Sequence, residues 1–252
     1  MIGLLRAEWL KTKRTALRPL VFFAPFAMGG VLAWYVAGRP WIAPGTAFSG
    51  FFSVWAALVL PLGLAVCAGQ LVQEEEEAAS LHGLLLCTRP RAVCYLTKLI
   101  VLLAAAALAT ALAVSVFCAG LQFDGGALRL YAGAAAAAWL AAVPLAAFYL
   151  WLAFAAGMGA AVGAGMGGML VAAFIGGTLL GDAIWPFIPW AWPVRLASAV
   201  AIVRTPGMDA AALAAFLEKA HWACALAVIG GILMTVGGMC WFVRWDGRSA
   251  SD

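Results

Sequence analysis

Residues 130 to 181 read LYAGAAAAAWLAAVPLAAFYLWLAFAAGMGAAVGAGMGGMLVAAFIGGTLLG, 52 positions without one charged side chain. A helix needs about 20 apolar residues to cross the roughly 30 Å of membrane hydrocarbon, so this stretch is too long for one crossing and long enough for two. It has to fold back, and the glycines from Gly157 to Gly165 are where the backbone turns most freely. Two spans follow, at about 132 to 156 and 162 to 181.

Working outward, charge-free stretches also run over 19 to 38, 40 to 73, 99 to 123 and 220 to 243. A charge at mid-membrane costs roughly 2.5 to 3.5 kcal/mol on insertion scales, so each stretch is read as holding one further span. These fall at about 19 to 38, 50 to 72, 95 to 120 and 221 to 243, giving an all-α integral membrane domain of six transmembrane helices.

Composition agrees. Of 252 residues, 66% are apolar and 10% charged, against roughly 45 to 50% and about 25% in soluble domains, which excludes a soluble globule. An even number of spans places both termini on one side of the membrane. With that side cytoplasmic, ten Lys and Arg lie inside and five outside (Arg39, Arg129, Arg195, Arg204 and Lys219). This is the positive-inside bias, and it accounts for the net charge of +4 without nucleic acid as a partner.

The first 18 residues carry five basic side chains and lead into a 20-residue apolar run, longer than the roughly 7 to 15 residues of a signal-peptide core, so the run is expected to stay as the first span. Leu5 and Trp9 stand one helical turn apart, with Glu8, Lys11, Lys13 and Arg14 on other faces. Such a segment suits a helix lying at the inner interface, or a basic flank that only orients the first span.

The inventory of reactive groups is thin. The six Cys, at 67, 87, 94, 118, 224 and 240, include no Cys-x-x-Cys pair, and His82 and His221 have no partner at metal-ligand spacing. Neither a His-Glu-x-x-His nor a Gly-x-Ser-x-Gly motif occurs, and no phosphate-binding Gly-x-x-x-x-Gly-Lys-Ser/Thr loop. The chain reads as a non-catalytic membrane body that binds no cofactor itself, so any ATP and Mg belong on another polypeptide.

Polarity concentrates at Glu74, Glu75, Glu76 and Glu77, at the close of the second span. Leu81, Leu84 and Leu85 follow on one helical face, and Pro90 ends the segment ahead of Arg91 and Lys98. Two readings stand: a coupling element that inserts its leucine face into a partner, or an acidic cap whose leucines rest on the bilayer.

Between Asp182 and Lys219 lies the longest outer segment, with Trp185, Trp190 and Trp192 interleaved with Pro186, Pro189 and Pro193 ahead of Arg195. Prolines so placed cannot belong to one regular spanning helix. The stretch from 183 to 200 is either a partly re-entrant or interfacial element beside an exit path, or an aromatic belt. Glycine pairs such as Gly159/Gly163 and Gly177/Gly181 serve close helix approach, within one bundle or between subunits.

On these residues the chain resembles ABC permeases of the second exporter type. Glu75 or Glu77, Ala79 or Ser80, Leu84 with Leu85, Pro90 with Arg91, and Lys98 match that family's acidic, small, leucine-pair, proline and lysine pattern, with Ala or Ser where glycine is common. Within the family, Glu8-x-x-Lys11-x-Lys13-Arg14 and Ile188-Pro189-Trp190 with Pro193 and Arg195 are similar to lantibiotic self-immunity permeases. The resemblance implies an N-terminal interfacial helix, a cytoplasmic coupling helix, an outer re-entrant element, an ABC ATPase dimer and a second permease subunit, identical or related.

It also implies a bacterial cell membrane as the location and removal of an amphiphilic antimicrobial peptide from membrane lipid as the task. The competing expectations are an exporter of drugs, lipids or polysaccharide precursors, and a scaffold or sensor that transports nothing.

Overall fold

A computed structural model describes residues 9, 10, 13, 17 to 77, 90 to 204 and 209 to 245. Among them all regular structure is helical. Helix α1 is Leu17–Ala37; α2 (Pro44–Val54), a five-residue π-helical turn (Trp55–Val59) and α3 (Leu60–Glu77) form one rod. They are followed by α4 (Arg91–Gly120), α5 (Gly125–Ala141) and α6 (Val143–Val171), the last continued by a π-helical turn over Ala172–Gly176. Short 3-10 turns then lead to α7 (Trp192–Ile202) and α8 (Ala210–Arg244).

Five helices are long and apolar enough to cross a membrane: Leu17–Ala37, Pro44–Glu76, Arg91–Gly120, Val143–Gly176 and Ala210–Arg244. Most outrun the charge-free stretches. The second rod begins at Pro44 instead of 50 and keeps its helix through Glu77, and α8 begins at Ala210, eleven residues before the expected 221. Lipid excludes charge from the hydrocarbon, but it does not stop a helix whose backbone bonds are internal. Residues 210 to 219 are therefore helical and run straight on into the last span.

The expected span 132 to 156 is divided. Asp124 caps α5, its Oδ1 accepting from the Ala127 amide at 2.8 Å, so the helix starts at 125. It ends at Ala142, whose φ of −86° and ψ of −7° precede α6. Pro144 has no N–H to offer the Leu140 carbonyl, so the ladder breaks there, while the second position of a new helix accepts proline well.

The fold-back falls at Gly157, where φ is 89° and ψ 175°, a backbone region that only glycine occupies without strain. The Trp190 indole proves that the chain reverses. Its Nε1 donates to the Tyr149 hydroxyl at 2.8 Å, and a methyl added at Gly168 would overlap the same ring. Tyr149 and Gly168 are nineteen positions apart, roughly 28 Å along a straight helix, which one indole cannot bridge. The two arms of α6 form a hairpin.

Around it the core divides into three. Leu60, Leu64, Leu71, Tyr95, Tyr149 and Phe154 pack at the end holding Lys98; Phe48, Phe51, Phe52, Trp55, Phe117 and Tyr131 form an aromatic cluster toward the other end. Trp185, Trp192, Leu196, Ala223 and Ala227 make the third. Helix α1 buries only Leu17, Val21, Pro25, Gly29 and Ala33, a stripe of every fourth residue, and packs mainly on α4.

Candidate functional site

Two groups of polar and aromatic residues stand out, one at each end of the bundle. At the first, Lys98 Nζ lies 2.9 Å from Glu75 Oε1 and 3.3 Å from the Leu71 carbonyl. The two side chains are 2% and 4% exposed. Helical spacing forces this: Leu71 and Glu75 are one turn apart on α3, so both face α4 and meet one ammonium. Removing two charges from water costs several kcal/mol per ion, offset only when the partners stay together.

This pair ties the ends of α3 and α4 that carry residues 78 to 89. Beside it Arg91 donates to the Val243 and Trp245 carbonyls at 3.2 and 3.0 Å, fastening α4 to the end of α8. Glu74 and Glu76 are partly buried and Glu77 is the last residue of α3. Pro90 directly precedes α4 and is exposed. Leu81, Leu84 and Leu85 lie outside the described residues. Glu75 thus points into the protein and is closed to any docking partner.

The amino-terminal segment meets this same end. Trp9 is half-buried against the Leu71 and Tyr95 cluster. Arg18 donates to its carbonyl at 2.7 Å and places a guanidinium 5.2 Å from its ring. Lys13 is exposed, and Lys11 and Arg14 lie outside the described residues.

At the far end the chain between α6 and α8 dips into the bundle and returns. Trp185 stacks on Phe216 of α8 at 5.9 Å, whereas a Cβ added at Gly230 would meet the Trp192 ring at 3.9 Å. Those two α8 residues are fourteen positions apart, roughly 21 Å of helix. The chain then climbs back as α7, antiparallel to α5, because Ala141 packs in the Trp192 cluster while Gly133 faces Val200.

Two indole N–H groups and one buried ring show how this dip is sealed, since a donor without an acceptor at that depth costs free energy. Trp190 uses Tyr149, and it packs against both main clusters. Trp192 donates to the Pro186 carbonyl at 2.8 Å. Trp185 is 1% exposed beneath Arg195, whose guanidinium carbon sits 5.9 Å from the ring.

Arg195 is a clamp. It pairs with Asp182 at 2.7 Å and donates to the Ile175 and Thr178 carbonyls at 3.1 and 2.6 Å. Lys219 of α8 donates to the Asp182 carbonyl at 2.8 Å. Trp185 and Trp192 are thus buried wall, and Arg195, bonded to its own chain, lines an open cavity beside Gly177, Thr178, Leu179 and Leu180. The sequence did not single out Tyr149, whose signal is a lone hydroxyl in a span facing tryptophans that need acceptors.

Among the described residues no group of three or more His, Cys, Asp or Glu side chains could hold a metal ion. The chemistry on view is mechanical: buried polar joints at both ends of an apolar bundle. The family model described as "ABC-2 family transporter protein" matches residues 4–156. No curated protein matches the chain. No solved structure matches it either. Proteins of this family are generally the non-catalytic membrane component of a transporter and work with an ABC ATPase. With its family model covering more than half the chain, and with several membrane-spanning helices, this protein belongs to the ABC-2 transporter family.

Proposed function

We propose that the chain is the permease subunit of an ATP-driven exporter that clears an amphiphilic antimicrobial peptide of the lantibiotic kind from a bacterial cell membrane. It crosses the membrane six times, because the α5 and first α6 segments together make one bent crossing and the second arm of α6 makes another. Both termini and residues 78 to 89 face the cytoplasm, in keeping with ten inner against five outer Lys and Arg.

The observation that carries this reading is the Glu75–Lys98 pair, 2.9 Å long and buried. An ATPase pressing on residues 78 to 89 acts on the ends of two helices joined as one lever. Helix α3 packs most extensively on α6, with Gly69 against Met158. The α6 hairpin in turn grips Trp190 at the bottom of the outer dip. Force has a contiguous packed route from the ATPase side to the re-entrant element. Movement of that element would part Trp185 and Trp192 from their burial and open the outward path.

Changing Leu84 and Leu85 to Asp tests the coupling. The chain should no longer purify with its ATPase, or ATP turnover in the complex should fall to that of the free ATPase. Retention of both would reject the coupling role. Cells with the intact complex should survive a lantibiotic better than cells with a hydrolysis-dead ATPase, and equal survival would reject the peptide as cargo.

A further inference from the structure

A groove of about 930 Å³ runs between α5, α7 and α8, apart from the joints described above. Its volume lies within the roughly 300 to 1,000 Å³ typical of small-molecule sites. Along α8 it extends from Leu217 to Val236, roughly 28 Å of helix, close to the roughly 30 Å thickness of the hydrocarbon. The lining is apolar, and Val228 and Ile232 are 63% and 59% exposed within it.

Its basic side chains are unevenly placed, and Thr235 is a neutral polar group at the opposite end. Arg204 and His221 sit toward the Asp124 end, Arg204 just beyond α7 and His221 on the early part of α8. No Asp or Glu lines the groove. The Arg204 side chain makes no hydrogen bond or ion pair among the described residues, unlike Arg195 and Lys219, which both donate to backbone carbonyls.

A membrane-embedded groove with one basic end and an apolar body matches one kind of occupant. We infer that it is a binding site for an anionic phospholipid, with the phosphate on Arg204 and His221 and an acyl chain along α8. At hydrocarbon depth the available filler is an acyl chain, and a guanidinium at the membrane surface attracts an anionic headgroup by charge complementarity, on the outer side as on the inner, where such basic pockets are known. A cationic peptide is disfavoured by the same arginine. The bound lipid wedges between α8 and α7, the returning arm of the dip, so its presence bears on how far that arm can move.

The site does not depend on the export reading, and its test needs no ATPase. The full chain, purified in mild detergent and freed of lipid, is titrated with phosphatidylglycerol, phosphatidylcholine or an uncharged diacylglycerol glycolipid, and bound lipid is counted by native mass spectrometry. Phosphatidylglycerol should bind about five-fold tighter than the glycolipid or more, the factor expected of one well-placed basic residue. Arg204→Glu should abolish that preference and Arg204→Lys should keep it. Val228→Trp, at a position exposed on the groove and therefore tolerant of bulk, should weaken all three lipids. The inference is overturned if phosphatidylcholine binds as tightly as phosphatidylglycerol, or if Arg204→Glu and Val228→Trp both bind like the unaltered chain. It is equally overturned if a cationic amphiphilic peptide displaces the lipid, or if Val228→Trp instead breaks a dimer.

Discussion

Lys98 of α4 and Glu75 of α3 meet at 2.9 Å, with the Leu71 carbonyl as a second acceptor for the same ammonium, in a place closed from outside. They stand 23 positions apart in sequence, and the residues between them include the segment proposed to couple to the ATPase. A charge pair here fixes the relative height of two helices, because sliding either by one turn would leave two buried ions apart.

Breaking the pair from one side should therefore cost far more than removing it. Lys98→Met or Glu75→Gln alone is expected to destabilise by about 3 to 5 kcal/mol, whereas Lys98→Met with Glu75→Leu should recover most of that loss. Thermal unfolding of the detergent-solubilised chain checks this; single variants as stable as the double would show that the pair is not buried as described.

The Trp190–Tyr149 bond makes a smaller, measurable contribution. Tyr149→Phe and Trp190→Phe should show a coupling of about 0.6 kcal/mol, and at most about 1.7, in a double-mutant cycle, the range found between membrane helices. Gly168→Leu should cost more than either, since its side chain would occupy the volume of the indole.

Gly157→Ala tests the hairpin. With φ at 89° and ψ at 175°, any side chain there should cost about 1 to 3 kcal/mol. Gly159→Ala, where an added Cβ meets nothing within 4 Å, should be nearly neutral. Equal unfolding temperatures for the two variants would argue against a reversal at Gly157.

Arg195→Lys separates a clamp from a ligand contact. One ammonium cannot reproduce a planar fork that serves Asp182 and two carbonyls at once. Loss of stability in the absence of any peptide is expected, by about 1 to 3 kcal/mol. Unchanged stability with impaired peptide clearance would return Arg195 to the path.

Sidedness has its own check. In a chain whose native cysteines are replaced, Ser80→Cys should react with a membrane-impermeant maleimide only after cells are opened. Labelling in intact cells would invert the topology and remove the ATPase-coupling assignment with it.

Much of the architecture was legible beforehand, and the reason differs by element. The fold-back needed only length: 52 uncharged residues exceed one bilayer, and Gly157 lies at the first of the glycines on which the turn was expected. The ends of α3 and α8 were misplaced because charge was taken as a helix boundary. Charge bounds contact with lipid, and Glu75 and Lys98 escape lipid by facing each other. The break at Ala142 was missed although Pro144 was in view, since a proline inside an apolar run also reads as a tolerated kink. The three tryptophans were read as part of a re-entrant or interfacial element or of an aromatic belt, and letters alone did not choose between these; Trp185 and Trp192 are buried.

Hydropathy and span length are sums over neighbouring residues, which is why the chain's letters alone established a multi-pass helical membrane protein and where its long apolar run reverses. Which polar groups find each other is a matter of positions 23, 41 or 152 residues apart along the chain, and no local sum contains it. That Glu75 turns inward, that Trp190 hangs from Tyr149, and that Arg204 faces a groove while Arg195 is spent on its own backbone were decided only when the helices packed, because a buried donor must find its acceptor wherever the fold brings one.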